Sequence, residues 1–452
     1  MREQIIPYRE ESVEFFDLLV GEPWAVFLDS GWPRDRSGRW DILTARPRQT
    51  LTSRGGITRV ESDAGCWDSR TDPLELLRTC LGPRQFSGTW PFAGGAIGYL
   101  SYDLGHRLAG LPGSGKDSDG MPEMAVGIYD WALLVDHQER RAALVGSDAL
   151  PDTTWNRLVA QFTLSRSVVQ VAWQCEAAPI SLFDRSAYDQ AFTRVQAYIN
   201  DGDCYQINLT QQYRARVSGD AWALYQALRR INPAPFSAYL DLPEGQVLSS
   251  SPERFVNLRS GRVSTRPIKG TRPRSPDPDT DRRAREALAV SAKDRAENLM
   301  IVDLLRNDLG KVCRTGSVRV PALFTVESFA RVHHLVSTIE GQLRPGLDAL
   351  DLLRAVFPGG SITGAPKRRA MAIIDALEPV ARGIYCGAIG YLGFNGDMDT
   401  NIAIRTLVKR GEQVGFGVGG GIVADSVANQ EYQECLDKAA PLLDLLRVEG
   451  LV

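Results

Sequence analysis

Histidine is scarce in this sequence, cysteine is unpaired, and positive charge is in no surplus. There are four histidines in 452 residues. The seven cysteines, Cys66, Cys80, Cys175, Cys204, Cys313, Cys386 and Cys435, are scattered and odd in number, with no C-x-x-C pair and no histidine cluster beside them. Zinc-ligand spacing is therefore missing, and a disulfide framework is not expected. With 52 basic against 55 acidic residues the formal charge is -3, which removes the electrostatic footprint of a nucleic-acid or anionic-membrane binder and leaves a small substrate as the expectation. Residues 1–7 lack the apolar core of a secretory leader, and no later run approaches the length needed to span a bilayer, so a cytoplasmic location is expected. What is present is bulk: 43% hydrophobic residues over this length can build two or three average domains or one large intertwined unit.

The first third alternates short extended runs with turns, at residues 24–28, 41–45, 94–102, 124–135 and 142–145, which predicts antiparallel sheet. Residues 110–116 mimic the glycine and lysine spacing of a phosphate-binding loop. Asp117 stands where a magnesium-binding hydroxyl belongs, and Gly120 and Pro122 forbid the following helix, so that reading is rejected. Gly95-Ala96-Ile97-Gly98-Tyr99-Leu100 recurs letter for letter as Gly387-Ala388-Ile389-Gly390-Tyr391-Leu392. Either this is chance, or each half supplies a similar glycine-bearing strand to a packed pair of sheets. Residues 152–170 read as a helix and a strand, and 177–184 as the crossing from a sheet-rich half (1–180) to a second half (181–452), the two intertwined as one unit. The second half opens with a helix over 187–200 capped by Ser186 and stopped at Gly202; a strand follows from 205, then a long helix over 281–308 and a last helix over 429–446.

Chemistry concentrates in that half. Residues 246–258 and 262–268 read as a hairpin turning at Ser260-Gly261, which brings Glu253 and Lys269 to neighbouring rungs. A two-residue loop pairs Glu253 with Ile268, so a bulge, or a break at Pro267, is needed to turn Lys269 to the same side. A carboxyl and an amine at one site can act as general acid and nucleophile; a solvated surface ion pair is the plain alternative. Glu297 shares a helix face with Met300, Ile301 and Leu304, and a carboxylate there needs an arginine, Arg295 or Arg306, or a hard cation. Glu431, Glu434 and Lys438 line one side of the last helix, where two acidic faces could share Mg²⁺ or a simple i, i+4 pair could form. Gly415, Gly417 and Gly420 fit a dinucleotide-binding spacing but lack the βαβ unit; Gly419 to Gly421 offer backbone amides to an anion instead.

SPERF, PIKGT, AENLMIVDLLRND, HHLVSTI, FPGGSITGAPK, the Ile404-Arg405-Thr406 triplet, GGGIVADS and EYQE together resemble the chorismate-utilising enzymes from near the N-terminus to the end. The resemblance implies an α+β fold, a large α/β/β/α sandwich of mainly antiparallel sheets of the anthranilate synthase component I type. It also implies Mg²⁺-bound chorismate and a separate glutamine amidotransferase subunit that supplies ammonia. Lys269 then matches a lysine that attacks C2 of chorismate and Glu253 the acid that assists departure of the 4-hydroxyl. Glu297 and Glu434 match the metal carboxylates, with Glu431 beside them. His334, Thr363, Tyr385, Arg405, Lys438, Gly420 and Gly421 match substrate-holding positions. Within the family, the anthranilate-forming branch carries alanine at the lysine position, so Lys269 favours the branch that replaces the 4-hydroxyl by an amine. A non-catalytic tryptophan-binding protein is the alternative of another class: the family's tryptophan site matches Pro235 and Phe236 together with the segment from Ser30 to Asp41.

Overall fold

Strands with two apolar faces dictate the architecture. In Trp131–Asp136, Trp131, Leu133 and Val135 enter one core while Ala132 and Leu134 enter another; in Met124–Tyr129, Met124, Val126 and Ile128 face a third core while Ala125 and Tyr129 join the second. A strand buried on both sides must lie between layers. The computed structural model describes residues 1–32, 38–83, 90–113, 115–116, 119–163, 172–329 and 332–447, and shows two large antiparallel sheets packed face to face. Helices that include Ala221–Ile231 and Ala428–Leu445 cover the first sheet, and Pro73–Leu81, Ala292–Gly310 and Ala349–Val356 cover the second. This is an α+β fold in four layers, as expected.

Each sheet reads alike outward from its centre. The first has Val26–Asp29 beside Phe236–Leu242; Trp40–Thr44, Trp131–Asp136, Arg141–Gly146 and Arg2–Ile6 follow on one side, and Gly245–Ser251, Thr406–Arg410, Gln413–Ile422 and Gln206–Gly219 on the other. At the centre of the second, Gly95–Leu100 lies beside Ala388–Gly393, flanked by Met124–Tyr129, Gln49–Arg54, Ile57–Ser62 and Gly65–Ser69 and by Met398–Ile402, Arg254–Arg259, Arg262–Thr265 and Val332–Gln342. Both halves thus cross between sheets at corresponding points of one strand plan. The repeated hexapeptides pair with each other, Gly98 directly opposite Gly390. A Cβ on Gly98 would strike the Ala125 carbonyl and one on Gly390 the Asp399 carbonyl, so each glycine admits its neighbouring strand. Over this pair the helices Pro73–Leu81 and Ala349–Val356 brace each other reciprocally: Arg78 reaches the N-cap Asp348, and Arg354 the N-cap Asp72.

Several boundaries differ from expectation. Residues 124–135 break at Asp130 into two strands that belong to different sheets. The helix Arg185–Asn200 is capped by Asp184, which accepts from the Ala187 amide at 2.8 Å, not by Ser186. The long helix is two, Pro278–Val290 and Ala292–Gly310, because Ser291 leaves the helical region and caps the second. The strand expected by residue 170 and Asp117 of the loop-like run lie outside the described residues.

Candidate active site

The chain passes from the first sheet to the second at Pro252 and Glu253, between Gly245–Ser251 and Arg254–Arg259. Residues 246–258 are therefore not one extended run, although the turn is as expected: Arg259 pairs with Arg262, and Ser260 (φ 51°) and Gly261 (φ 80°) both adopt the left-handed region that a tight hairpin requires. Glu253 is only 6% exposed at this crossing. Its Oε1 accepts from Ser361 Oγ at 2.9 Å, on the short helical turn Gly360–Ile362. Burial pushes the carboxyl up to about 7 against the opposing pull of Ser361 and Lys269, so near neutrality it can hold a proton to give away.

A break and a bulge, the devices anticipated for Lys269, both occur beside it, but neither shifts its phase. Thr265, Ile268 and Lys269 keep one register opposite Ile339, Val336 and Leu335. The register shift that separates Glu253 from the rest of its strand lies at Phe255, between Arg254 opposite Asn401 and Val256 opposite Thr400. Arg266 and Pro267 interrupt the strand, yet Arg262–Thr265 and Ile268–Pro273 keep one partner, Val332–Gln342. Lys269 stands opposite Leu335 and Thr271 opposite His334, so Gly270 is an extra residue, held at φ 77° as only glycine readily allows. A Cβ on Gly421 would lie 3.5 Å from Lys269 Nζ and 3.0 Å from Gln206 Nε2. Gln206 is fully buried, and neither its amide nitrogen nor its oxygen has a partner among the described residues. An unsatisfied donor and acceptor beside the amine is costly unless a ligand uses it. Sequence reading missed Gln206; its one signal was a glutamine opening an apolar strand. Ser361 was missed too, inside a motif read as a loop.

Glu297 does not use Arg295 or Arg306. Arg295 lies over the Phe324 ring and Arg306 pairs with Asp303, each turned away by its place on the helix; the ammonium nearest Glu297 is that of Lys293, at 3.9 Å. Burial, aided by Glu434 and Glu431, raises the Glu297 carboxyl above its usual range. Glu431 is buried, accepts from Ser426 Oγ at 2.7 Å and lies 3.4 Å from Lys293 Nζ. Glu434 meets Lys438 Nζ at 2.7 Å; burial opposes its ionisation, but Lys438, Lys269 and Lys293 outweigh burial and hold it below the usual carboxylate range. The Lys293 amine, disfavoured by burial, is nonetheless held above its usual value by Glu431 and Glu297. A Cβ on Gly420 would sit 3.3 Å from Glu431 Oε2 and 3.8 Å from Glu434 Oε1, so glycine leaves open a cradle edged by two carboxylates. Among the described residues no three His, Cys, Asp or Glu groups stand close enough to hold a metal ion by themselves. The half-buried, poorly partnered Glu297 beside an open oxygen-lined cradle fits a hard cation that keeps waters and takes one or two carboxylates.

Cationic and amide donors face the same space. Arg405 (φ 51°) spends one donor on Asn232 Oδ1 at 2.9 Å, and burial lowers its proton affinity. Lys438 donates to the Gly419 carbonyl at 2.9 Å. Burial, reinforced by Arg405, drops His334 to about 4, and its Nδ1 meets Thr271 Oγ1 at 2.9 Å, so the ring is neutral at physiological pH. Tyr385 lays its ring where a Gly417 side chain would be. Thr363 donates its hydroxyl to the Gly359 carbonyl at 2.9 Å and so fixes the loop that carries Ser361. Gly420 and Gly421 pair with Leu209 and Asn208, and successive strand amides point to opposite edges, so only one of the two faces away from that partner strand.

The second predicted cluster lies at the centre of the first sheet. Ser30 donates to Asp41 Oδ1 at 2.8 Å (amide) and 2.6 Å (hydroxyl), while Asp41 Oδ2 meets His137 Nε2 at 2.8 Å. Phe236, which follows Pro235, pairs with Ser251 and lies under the Arg254 guanidinium at 4.8 Å. Sequence reading missed the adjoining ion pair of Asp29 with Arg229 (2.5 Å) and Tyr225 (2.9 Å), although Arg229 sits at helical spacing with Trp222 and Tyr225. Residues 33–37 of this segment lie outside the described residues.

Comparison with known proteins shows the family and the fold. The chorismate binding enzyme family matches residues 33–444. The chain is 48% identical over 452 residues to aminodeoxychorismate synthase component 1 of Klebsiella aerogenes, covering 98% of each, and 37% identical to anthranilate synthase component 1 of Thermus thermophilus, again covering 98% of each. Among solved structures, anthranilate synthase component I from Streptococcus pneumoniae TIGR4 matches with a TM-score of 0.77 at 30% identity over 92% of this chain and 93% of that one. The menaquinone-specific isochorismate synthase MenF of Escherichia coli shares the fold, with a TM-score of 0.73 at 19% identity over 99% of this chain and 94% of that one.

Proposed function

The chain belongs to the family of chorismate binding enzymes, and from that premise we propose that it is the chorismate-aminating component of an aminodeoxychorismate synthase. It converts chorismate and ammonia to 4-amino-4-deoxychorismate, the precursor of p-aminobenzoate and folate. The observation that carries this reading is the convergence of the Lys269 amine with a Glu253 carboxyl poised near 7. Lys269 Nζ attacks C2, the two ring double bonds shift, and the C4–O bond breaks as Glu253 protonates the departing hydroxyl to water. Ammonia then forms a bond to C4, the double bonds return, and the C2–N bond to Lys269 breaks. Gln206 offers its free amide to the incoming nucleophile or the ring. Arg405, Lys438 and the outward amide of Gly420 or Gly421 hold the substrate's two carboxylates, and neutral His334 lines the pocket without adding charge. Glu297, Glu431 and Glu434 would hold magnesium, whose bound charge supplies a hard positive centre for a substrate carboxylate.

Relatives named component 1 support a second component, which we take to be a glutaminase that delivers ammonia. Purified protein given chorismate, Mg²⁺ and ammonium should yield the aminated product by mass and absorbance, and glutamine should replace ammonium only after a glutaminase subunit is added. Glutamine-dependent turnover by this chain alone contradicts the two-component reading, and anthranilate as the product reassigns the branch. We further propose that tryptophan binds at Ser30, Asp41, Pro235 and Phe236. Release of stoichiometric tryptophan on denaturation of the purified protein, lost in Asp41→Ala, tests it; no tryptophan released or bound refutes it.

A further inference from the structure

The Lys293 ammonium lies between two carboxylates that belong to different helices. It stands in the first turn of Ala292–Gly310, 3.9 Å from Glu297 Oε1 on that helix and 3.4 Å from Glu431 Oε1 on Ala428–Leu445. Of the other amines of the cradle, Lys438 is committed to Glu434 and the Gly419 carbonyl, while Lys269 lies beside Gly421 and its charge bears on Glu253, Glu297 and Glu434 alike. Lys293 alone combines contact with both helices and a route out, since 51% of its side chain is exposed. A divalent cation taking oxygen from Glu297 and Glu431 needs the space and the charge that this ammonium now uses, and two cations a few ångströms apart repel. Three carboxylates, Glu297, Glu431 and Glu434, face three amines, Lys269, Lys293 and Lys438. Removing Lys293 and adding a divalent cation leaves one net positive charge, and Arg405 adds a second to meet a dianionic substrate.

We propose that Lys293 is a built-in counter-cation: it bridges Glu297 and Glu431 while no divalent cation is bound, and it swings into solvent when one loads. It thereby lowers metal affinity and keeps the empty cradle from splaying under carboxylate repulsion. The proposal rests on the reading of these glutamates as divalent-cation carboxylates, and it concerns a residue outside the reacting groups. Removing the competitor should tighten binding, by an amount set by two partly exposed ion pairs.

The test is Mn²⁺ binding to the full chain without substrate, followed by the electron paramagnetic resonance of the free ion. Lys293→Met and Lys293→Gln should each bind Mn²⁺ about five- to tenfold more tightly than wild type, whereas Lys293→Arg, which keeps the charge, should stay near the wild-type value. In chelator the two neutral variants should melt below wild type, and Mn²⁺ should raise their melting temperature by more. Unchanged or weaker Mn²⁺ affinity in both neutral variants overturns the proposal. If wild type binds Mn²⁺ and Glu434→Gln weakens that binding while the Lys293 variants do not differ, the counter-cation role alone fails. If wild type shows no saturable binding, the cation reading falls and the proposal with it.

Discussion

The two halves of the molecule run the same strand plan and differ in what they hang on it. In the first half the crossing between Trp40–Thr44 and Gln49–Arg54 carries Arg46, paired with Glu22, and Arg48, 3.3 Å from Asp130, both well exposed. At the corresponding crossing of the second half stands Glu253, buried against Ser361. Beyond the crossing, Ile57–Ser62 turns through Asp63 and Ala64 directly into Gly65–Ser69, whereas residues 266–331 intervene between Arg262–Thr265 and Val332–Gln342. That insertion carries Lys269, Lys293 and Glu297. The closing helices diverge likewise: Asp152–Thr163 buries Leu158 and Phe162, while Ala428–Leu445 buries Glu431 beside Cys435, Ala439 and Leu442. On the proposed function, the second copy of the strand plan gains its chemistry through a buried acid at a crossing, one insertion and one helix.

Breaking the contrast at the crossings should have the largest effect. Glu253→Gln should lower kcat/KM by about 10² to 10⁴, the usual worth of a general acid, while Arg46→Gln leaves turnover unchanged; equal losses would mean that Glu253 acts only in the fold. The carboxyl titrates near 7 when folded and near 4.5 as a free group. Between those values the folded chain keeps a proton that the unfolded chain has lost, so stability must fall as pH rises through that window, by roughly 3 kcal/mol. Glu253→Gln should flatten this decline in denaturant titrations from pH 4 to 8. In the active enzyme, rates referred to neutral ammonia should fall above pH of about 7 as the acid ionises.

The likeness of the halves can be sharpened at their shared axis. Gly98→Ala and Gly390→Ala each push a Cβ into the backbone of the adjacent strand, and each should destabilise by about 3 kcal/mol, at the upper end for overpacking. Clearly unequal losses by urea unfolding would show that the paired glycines pack by different rules. Smallest is the reciprocal brace: Arg78 and Arg354 are about one-third exposed, so either alanine variant should cost about 0.5–1 kcal/mol, and because both guanidiniums also meet Glu75 the double variant should depart from the sum.

What could be read beforehand follows the same division. Glu253, Lys269 and Glu297 could be singled out as candidates because a carboxylate and an amine on neighbouring rungs, or a carboxylate on an apolar helix face, conflict with the local pattern, whereas Glu434 read equally as an i, i+4 pair with Lys438. The hexapeptide echo betrayed the duplicated strand, but not that the copies are neighbours, since partner choice across hundreds of residues leaves no local trace. The crossings at Asp130 and Pro252–Glu253 were hidden because an extended run keeps its alternation when it changes sheets. The counter-ion of Glu297 was misjudged although its spacing was regular: Lys293 precedes Glu297 by one turn, at i, i+4 on the same helix, so the two share a face. Gln206 carries only the slight signal of a glutamine opening an apolar strand, and its unpaired amide in a packed interior is what gives it away.

The central claim is that Lys269 attacks the substrate carbon while Glu253 supplies the proton. Intact-protein and peptide mass spectrometry of wild type, quenched during exposure to chorismate and Mg²⁺ without ammonia, reads it directly. The account predicts chorismate minus water added to the peptide that holds Lys269, removed by ammonia and absent in Lys269→Ala. No adduct under any condition, together with wild-type amination by Lys269→Ala, would contradict it.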